Sequence, residues 1–150
     1  MIAVDNGDKI RGSTTTASKV DYTIHGVVGT TITQLADGQL PSSIGDLYTS
    51  SANSTVIAGI TLVNTNTSTE AVNLYLTPSG GTARRILPMN LSLSAGYSCL
   101  YDGNIISIFD TEGSIVHTSI GGSPGWWVDC GESSYDLEDH SVIVWDLGAS

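Results

Sequence analysis

The stretch VIAGITLVNTNTSTEAVNLYLTPSGGTARRILPMNLSLSAGYSCL, Val56 to Leu100, decides the fold. Val56 to Val63 is dense in apolar and β-branched residues, as a central strand is. Asn64 to Glu70, NTNTSTE, is a polar loop. In Ala71 to Thr77, Val72, Leu74 and Leu76 alternate with Asn73, Tyr75 and Thr77, which is the period of a strand with one buried face. Pro78 to Gly81, PSGG, has the composition of a turn. Arg84 to Leu87 is short and stops at Pro88. Leu91 and Leu93 alternate with serines, Ala95-Gly96 breaks the run, and Tyr97 to Tyr101 resumes it. No helix fits anywhere in this stretch, and no cluster of chemically equipped residues occurs in it.

The same style extends on both sides. Val20 to Val28, VDYTIHGVV, sets Val20, Tyr22 and Ile24 against Asp21, Thr23 and His25. Thr30 to Leu35 continues after Gly29, and Ala36 to Pro41 carries an Asp-Gly turn signal. Leu47 to Ser51 is a further short strand. Downstream, Asp102-Gly103 marks a turn, and Asn104 to Phe109 and Ser114 to Ile120 flank a four-residue loop, Asp110 to Gly113. Trp126 to Cys130 and Val142 to Trp145 read as strands, with an acidic loop, Gly131 to His140, between them. Only Asp136 to His140 offers a turn of helix. About ten short strands at this spacing predict an all-β antiparallel sandwich, jelly-roll-like, and no crossover helix is available for a parallel sheet. Residues 1–19 have weak periodicity and end in GSTTTASK, so they are read as an extended N-terminal arm. Residues 20–150 form the single sandwich domain, with 126–150 as an acidic C-terminal segment.

Composition agrees with this reading. At 150 residues and 40% hydrophobic content the chain can bury a core, while charged residues are only 13%. The polar surface therefore comes from Thr, Ser, Asn and Gly. The net charge is −10, and no Lys or Arg follows Arg85. Binding to nucleic acid or to an anionic membrane needs cations against phosphate, so both are disfavoured. A basic partner surface suits the acids better. The N-terminus lacks the apolar core of a signal peptide and no apolar run reaches the roughly 18 residues of a span. These features predict synthesis in a cytoplasm, with reduced thiols.

Candidate chemistry is sparse. His25, His117 and His140 are far apart, and neither Cys99 nor Cys130 lies in a CxxC, so no zinc-ligand spacing exists. Two cysteines form no disulfide framework, and whether Cys99 and Cys130 pair is open. Gly96-Tyr97-Ser98-Cys99-Leu100 lacks the second glycine and the helix of a nucleophile elbow, so Cys99 reads as an ordinary strand thiol. Asp136, Glu138 and Asp139, like Asp5-Asn6-Gly7-Asp8, fail the spacing of a calcium loop. No cofactor, metal or catalytic residue is assigned. The sequons at Asn53, Asn66 and Asn90 are ordinary in a Ser/Thr-rich chain. Trp126-Trp127, after GGSPG, is the notable local feature. Neighbours in a strand face opposite sides, so one Trp of the pair would be exposed for a subunit contact or, in the second reading, for a sugar.

The tract Ile60 to Tyr97 resembles a segment of small structural proteins of tailed bacteriophages. The likeness lies in the order of a polar Asn/Thr loop, VNLYL, a Gly-rich turn, an Ile-Leu-Pro step and a Leu-Ser-Leu-x-Ala-Gly-Tyr return, followed by the hairpin DGNIISIFDTEGSIVHT. The resemblance covers about half the chain and ends before Trp126. It implies a non-enzymatic virion protein, a head decoration or cement subunit that bridges capsid neighbours as a homo-oligomer, for instance a trimer. Its partners would be the major capsid protein and other virion proteins, and it would be assembled in the host cytoplasm. The alternative is a tail, neck or fibre module binding a host receptor or glycan. In the favoured reading the arm reaches an adjacent subunit. Lys9, Arg11 and Lys19 meet the acidic surface of the next copy, and Trp126 and Trp127 supply a second contact.

Overall fold

Two antiparallel sheets pack into a β-sandwich. The structure, a computed structural model, describes residues 1–120 and 128–129. The strands are β1 (Ile2–Val4), β2 (Lys9–Thr14), β3 (Val20–Val28), β4 (Thr31–Gln39), β5 (Gly45–Thr49), β6 (Thr55–Asn64), β7 (Glu70–Thr77), β8 (Arg84–Arg85), β9 (Leu91–Leu93), β10 (Ser98–Tyr101), β11 (Ile105–Phe109), β12 (Ile115–Ile120) and β13 (Val128–Asp129). The larger sheet runs β13-β12-β11-β10-β6-β3-β4, with β1 taking up the part of β6 that β10 leaves free. The smaller runs β5-β2-β7-β8, with β9 beside β8 on the same flank of β7.

The core is one apolar layer between the sheets. Ile24, Ile57, Ile60, Leu62 and Cys99 enter it from the larger sheet, and Ile10, Leu47, Val72 and Leu74 from the smaller. The alternation seen in the sequence is the alternation of burial. In β6, Ile60, Leu62 and Asn64 are buried while Thr61 and Val63 are only half covered. Tyr22 also ties the sheets together by donating its hydroxyl to the carbonyl of Leu47 at 3.3 Å.

Local chemistry sets the turns. Asp102 accepts from the N–H groups of Asn104 and Ile105 at 2.8 and 2.7 Å, which closes the β10–β11 turn. Asp110 does the same for Glu112 and Ser114 before β12. Asn64 donates to the carbonyls of Leu93 and Ser68, at 2.8 and 2.9 Å, and so fastens the polar 64–70 loop to the β9–β10 return.

Two expectations are corrected. Residues 1–19 are not an extended arm. β1 pairs with β6, and β2 is an inner strand of the smaller sheet, between β5 and β7. The inward positions of β2 are Ile10, Gly12 and Thr14, all buried. Only one of them is a large apolar residue, so the apolar period is invisible although the strand is central. Gly12 is in a crowded place, since a Cβ there would lie 2.8 Å from a methyl of Leu47. The second correction concerns Ala36 to Pro41, whose Asp-Gly pair does not make a turn. Asp37 and Gly38 stay in β4, opposite Thr23 and Tyr22. Gly38 is there because Tyr22 lies over it, at 3.2 Å from where a Cβ would sit. The chain turns later, through Pro41 to Ile44. The acidic stretch from 130 onward, with Val142 to Trp145 and the helical turn at Asp136 to His140, lies outside the described residues.

Candidate functional site

The outer face of the smaller sheet brings cationic side chains together with a carboxylate and an aromatic ring. Register places Asp46, Arg11, Tyr75 and Arg85 in one row across β5, β2, β7 and β8. Lys9 stands two residues along β2 from Arg11, on the same side. The Lys9 ammonium lies 2.5 Å from Asp46 Oδ2, and the Arg11 Nε 2.7 Å from Asp46 Oδ1. The Lys9 hydrogen bond, foremost, and the nearby cations hold the Asp46 carboxyl below its usual range. The Arg85 guanidinium lies over the Tyr75 ring, 5.1 Å from its centroid, and donates to the amide oxygen of Asn73. Asn73 also accepts from the Asn90 backbone N–H at 2.9 Å, and its own amide donates to Asn90 Oδ1 at 3.1 Å. Asn73, which orients Arg85, is thus itself held by the β8–β9 connection.

A buried carboxylate sits at one end of this sheet. Glu70, the first residue of β7, is 1% exposed. Its Oε2 accepts from the Thr16 N–H at 2.8 Å and the Thr14 hydroxyl at 3.0 Å, and its Oε1 accepts from Asn66 at 2.7 Å. Burial pulls its pKa upward, but the hydrogen bonds from Asn66, Thr16 and Thr14 outweigh that and hold it below the ordinary 4.5. With every oxygen engaged by donors of the chain itself, Glu70 is a clamp between β2, β7 and the 64–70 loop.

The residues singled out in the sequence are separated by the fold. Lys9 and Arg11 meet on the outer face of β2, where both pair with Asp46 of the same chain. They are not on a free arm, because β2 is hydrogen-bonded on both sides. Lys19 is exposed just before β3 and does not join them; its carbonyl accepts from the Thr65 N–H at 2.9 Å. Trp126 and Trp127 lie outside the described residues. Asp46, Tyr75, Asn73 and Arg85 were missed. Asp46, Arg85 and the pair Asn73 and Tyr75 come from three different strands, and only the strand register brings them beside Arg11.

Cys99 is a free thiol buried in the core, and burial pushes it up to about 12, so it is not a nucleophile at neutral pH. Cys130 lies outside the described residues. His25 is exposed on the outer face of the larger sheet, and His117 is a β12 residue opposite Ile108. Among the described residues no three His, Cys, Asp or Glu side chains come together as a metal site would need. No helix among them is long and apolar enough to cross a membrane.

The larger sheet ends in a different kind of surface. Among the described residues β4 pairs with β3 alone. It is nine residues long, with Asp37 its one charged residue, and Ile32 on it is 85% exposed. Among the described residues its outer side is a row of backbone groups with no strand beside it. Comparison of the chain with protein-family models, with curated proteins and with solved structures finds no match.

Proposed function

We propose that this chain is a non-enzymatic structural subunit of a virion, a head decoration or cement protein that holds neighbouring capsid subunits together. The single observation that carries the proposal is the open β4 edge. Sheet edges are normally guarded by lysine, proline, bulges or shortness, because an exposed edge recruits any passing strand. Here nine residues, Thr31–Gln39, hold no Lys, Arg or Pro, and the one bulge, at Leu35, leaves Thr31 to Gln34 in regular register. Such an edge suits a protein whose work is to add a strand to a neighbour, with backbone pairing supplying affinity and Ile32 an apolar anchor. The likeness of Ile60 to Tyr97 to phage structural proteins supplies the setting.

The mechanism is geometric. The sandwich is a rigid block, and each block contributes one edge and one polar face to its neighbours. The test is the composition and imaging of purified particles of the encoding virus. The chain is expected on the head shell at regular sites, with β4 against another protein. Ile32→Lys should cut its occupancy on particles several-fold without lowering the melting temperature of the free protein. Absence of the chain from particles, or its presence on the tail alone, would overturn the reading.

A further inference from the structure

In a chain of net charge −10, the outer face of the smaller sheet is cationic. Lys9, Arg11 and Arg85 lie on it and Arg84 stands at its edge, while the row across the strands holds one carboxylate, Asp46. Asp46 is already shared between Lys9 and Arg11. Arg85 is partnered by a neutral amide and a ring, which orient the guanidinium without neutralising it. A planar guanidinium held in this way is suited to a carboxylate from outside.

The complementary chemistry is in the chain itself. Residues 130–150 contain Glu132, Asp136, Glu138, Asp139 and Asp146 and no Lys or Arg. β13, which precedes these residues, is at the edge of the larger sheet. The cationic face looks away from that sheet, so a segment of the same copy would have to wrap round the sandwich to reach it. A neighbouring copy can present the segment directly.

We propose that the outer face of the smaller sheet, built on Lys9, Arg11, Tyr75 and Arg85, is the docking surface for the acidic segment 130–150 of a second copy. The contact is heterologous, face to segment, so repetition produces a ring or a row rather than a closed two-fold pair. It gives the subunit proposed above its homotypic partner, but it is tested in solution, where it can fail or hold whatever the location on a particle.

Sedimentation velocity of the full chain is measured at about 0.01 M and about 1 M salt, where the Debye length falls from about 30 to about 3 Å. Three proteins are compared: the natural chain, an Arg84→Glu/Arg85→Glu variant, and an Asp136→Lys/Glu138→Lys/Asp139→Lys variant. The natural chain should associate at low salt and weaken by about tenfold or more at high salt. Each variant alone should be monomeric, and an equimolar mixture of the two should associate again, because each then supplies the charge that the other reversed. Should the double arginine variant fail to melt cooperatively, Lys9→Glu replaces it, at a partly exposed position of the same face outside the Asn73 network. A natural chain that is monomeric at both salts, variants that associate as it does, or a mixture no better than its parts would each overturn the proposal.

Discussion

Glu70 accepts the backbone N–H of Thr16 at 2.8 Å, and this bond ties the segment after β2 to the first residue of β7. The same oxygen takes the Thr14 hydroxyl, so one buried carboxylate holds down the part of the chain whose sequence looks most like a loose arm. Removing it leaves three donors unmatched. Glu70→Ala should destabilise the protein by about 3 kcal/mol, and Glu70→Gln by less, since the amide keeps one acceptor. Denaturant unfolding at neutral pH measures both. Because the folded carboxyl titrates below its ordinary 4.5, its contribution is complete above that pH and is lost as the pH falls through the folded value. Asp8, held low chiefly by the Asp5 and Ser79 N–H groups, and Asp46 act in the same direction. The natural protein should therefore lose stability on acidification below about pH 4.5, and Glu70→Gln should lose less over the same interval.

Residues 1–14 should prove indispensable to the fold. β2 has a neighbour on each side, and Ile10 is fully buried against the core. Ile10→Ala should cost about 2–5 kcal/mol, the range for emptying a buried aliphatic site. A chain lacking residues 1–14 should show no cooperative melt by circular dichroism, whereas a dispensable arm would leave the transition in place.

What could be read from the sequence followed side-chain size. β3, β6 and β7 are legible because their inward positions are large: Val20 and Ile24, then Ile57, Ile60 and Leu62, then Val72 and Leu74. The turns at Asp102 and Asp110 are legible because an aspartate that caps its own following amides is a local device. β2 is not, because its inward positions after Ile10 are Gly12, where crowding from Leu47, Leu40 and Leu74 leaves no room for more, and Thr14, whose hydroxyl is spent on Glu70. Asp37-Gly38 misleads because the glycine answers to Tyr22 above it rather than to a bend. Lys9 and Arg11 stood out as cations in the sequence, but the row they belong to is a product of register. Asp46, Tyr75 and Arg85 join it from three other strands, and nothing local to any of them says so.

Gly26 is a sharper case of a neighbour dictating a residue. β3 and β6 approach so closely at their bulge that a Cβ on Gly26 would lie 2.2 Å from the carbonyl oxygen of Val56. That atom is backbone in the central pair of the larger sheet and cannot swing aside. Gly26→Ala should destabilise by about 3 kcal/mol or more through a shifted strand pair. Gly29→Ala, only three residues along, is the control for lost glycine flexibility without a clash: it has a φ of +61° but open space around its Cβ. Its cost should be smaller, about 1 kcal/mol, the ordinary penalty of a left-handed non-glycine residue. Equal losses at the two sites, by thermal unfolding, would show that the clash is relieved.

Cys99 provides a reporter of the same core. It lies opposite Leu62 and Ile108 on the inner side of β10, with no surface exposed and its thiol pushed up to about 12. Thiolate is the reactive form, and at neutral pH such a group is almost wholly protonated as well as covered. In a Cys130→Ser variant the remaining thiol should therefore resist a disulfide-exchange reagent in the native state and react at once in denaturant. The native labelling rate then measures opening of the larger sheet. It should rise in Gly26→Ala, which loosens β3 against β6. It should stay near the natural rate in Arg84→Glu, whose substitution touches only the rim of the smaller sheet. Fast native labelling of Cys99 would mean that β10 is accessible without unfolding and would contradict its place in the core.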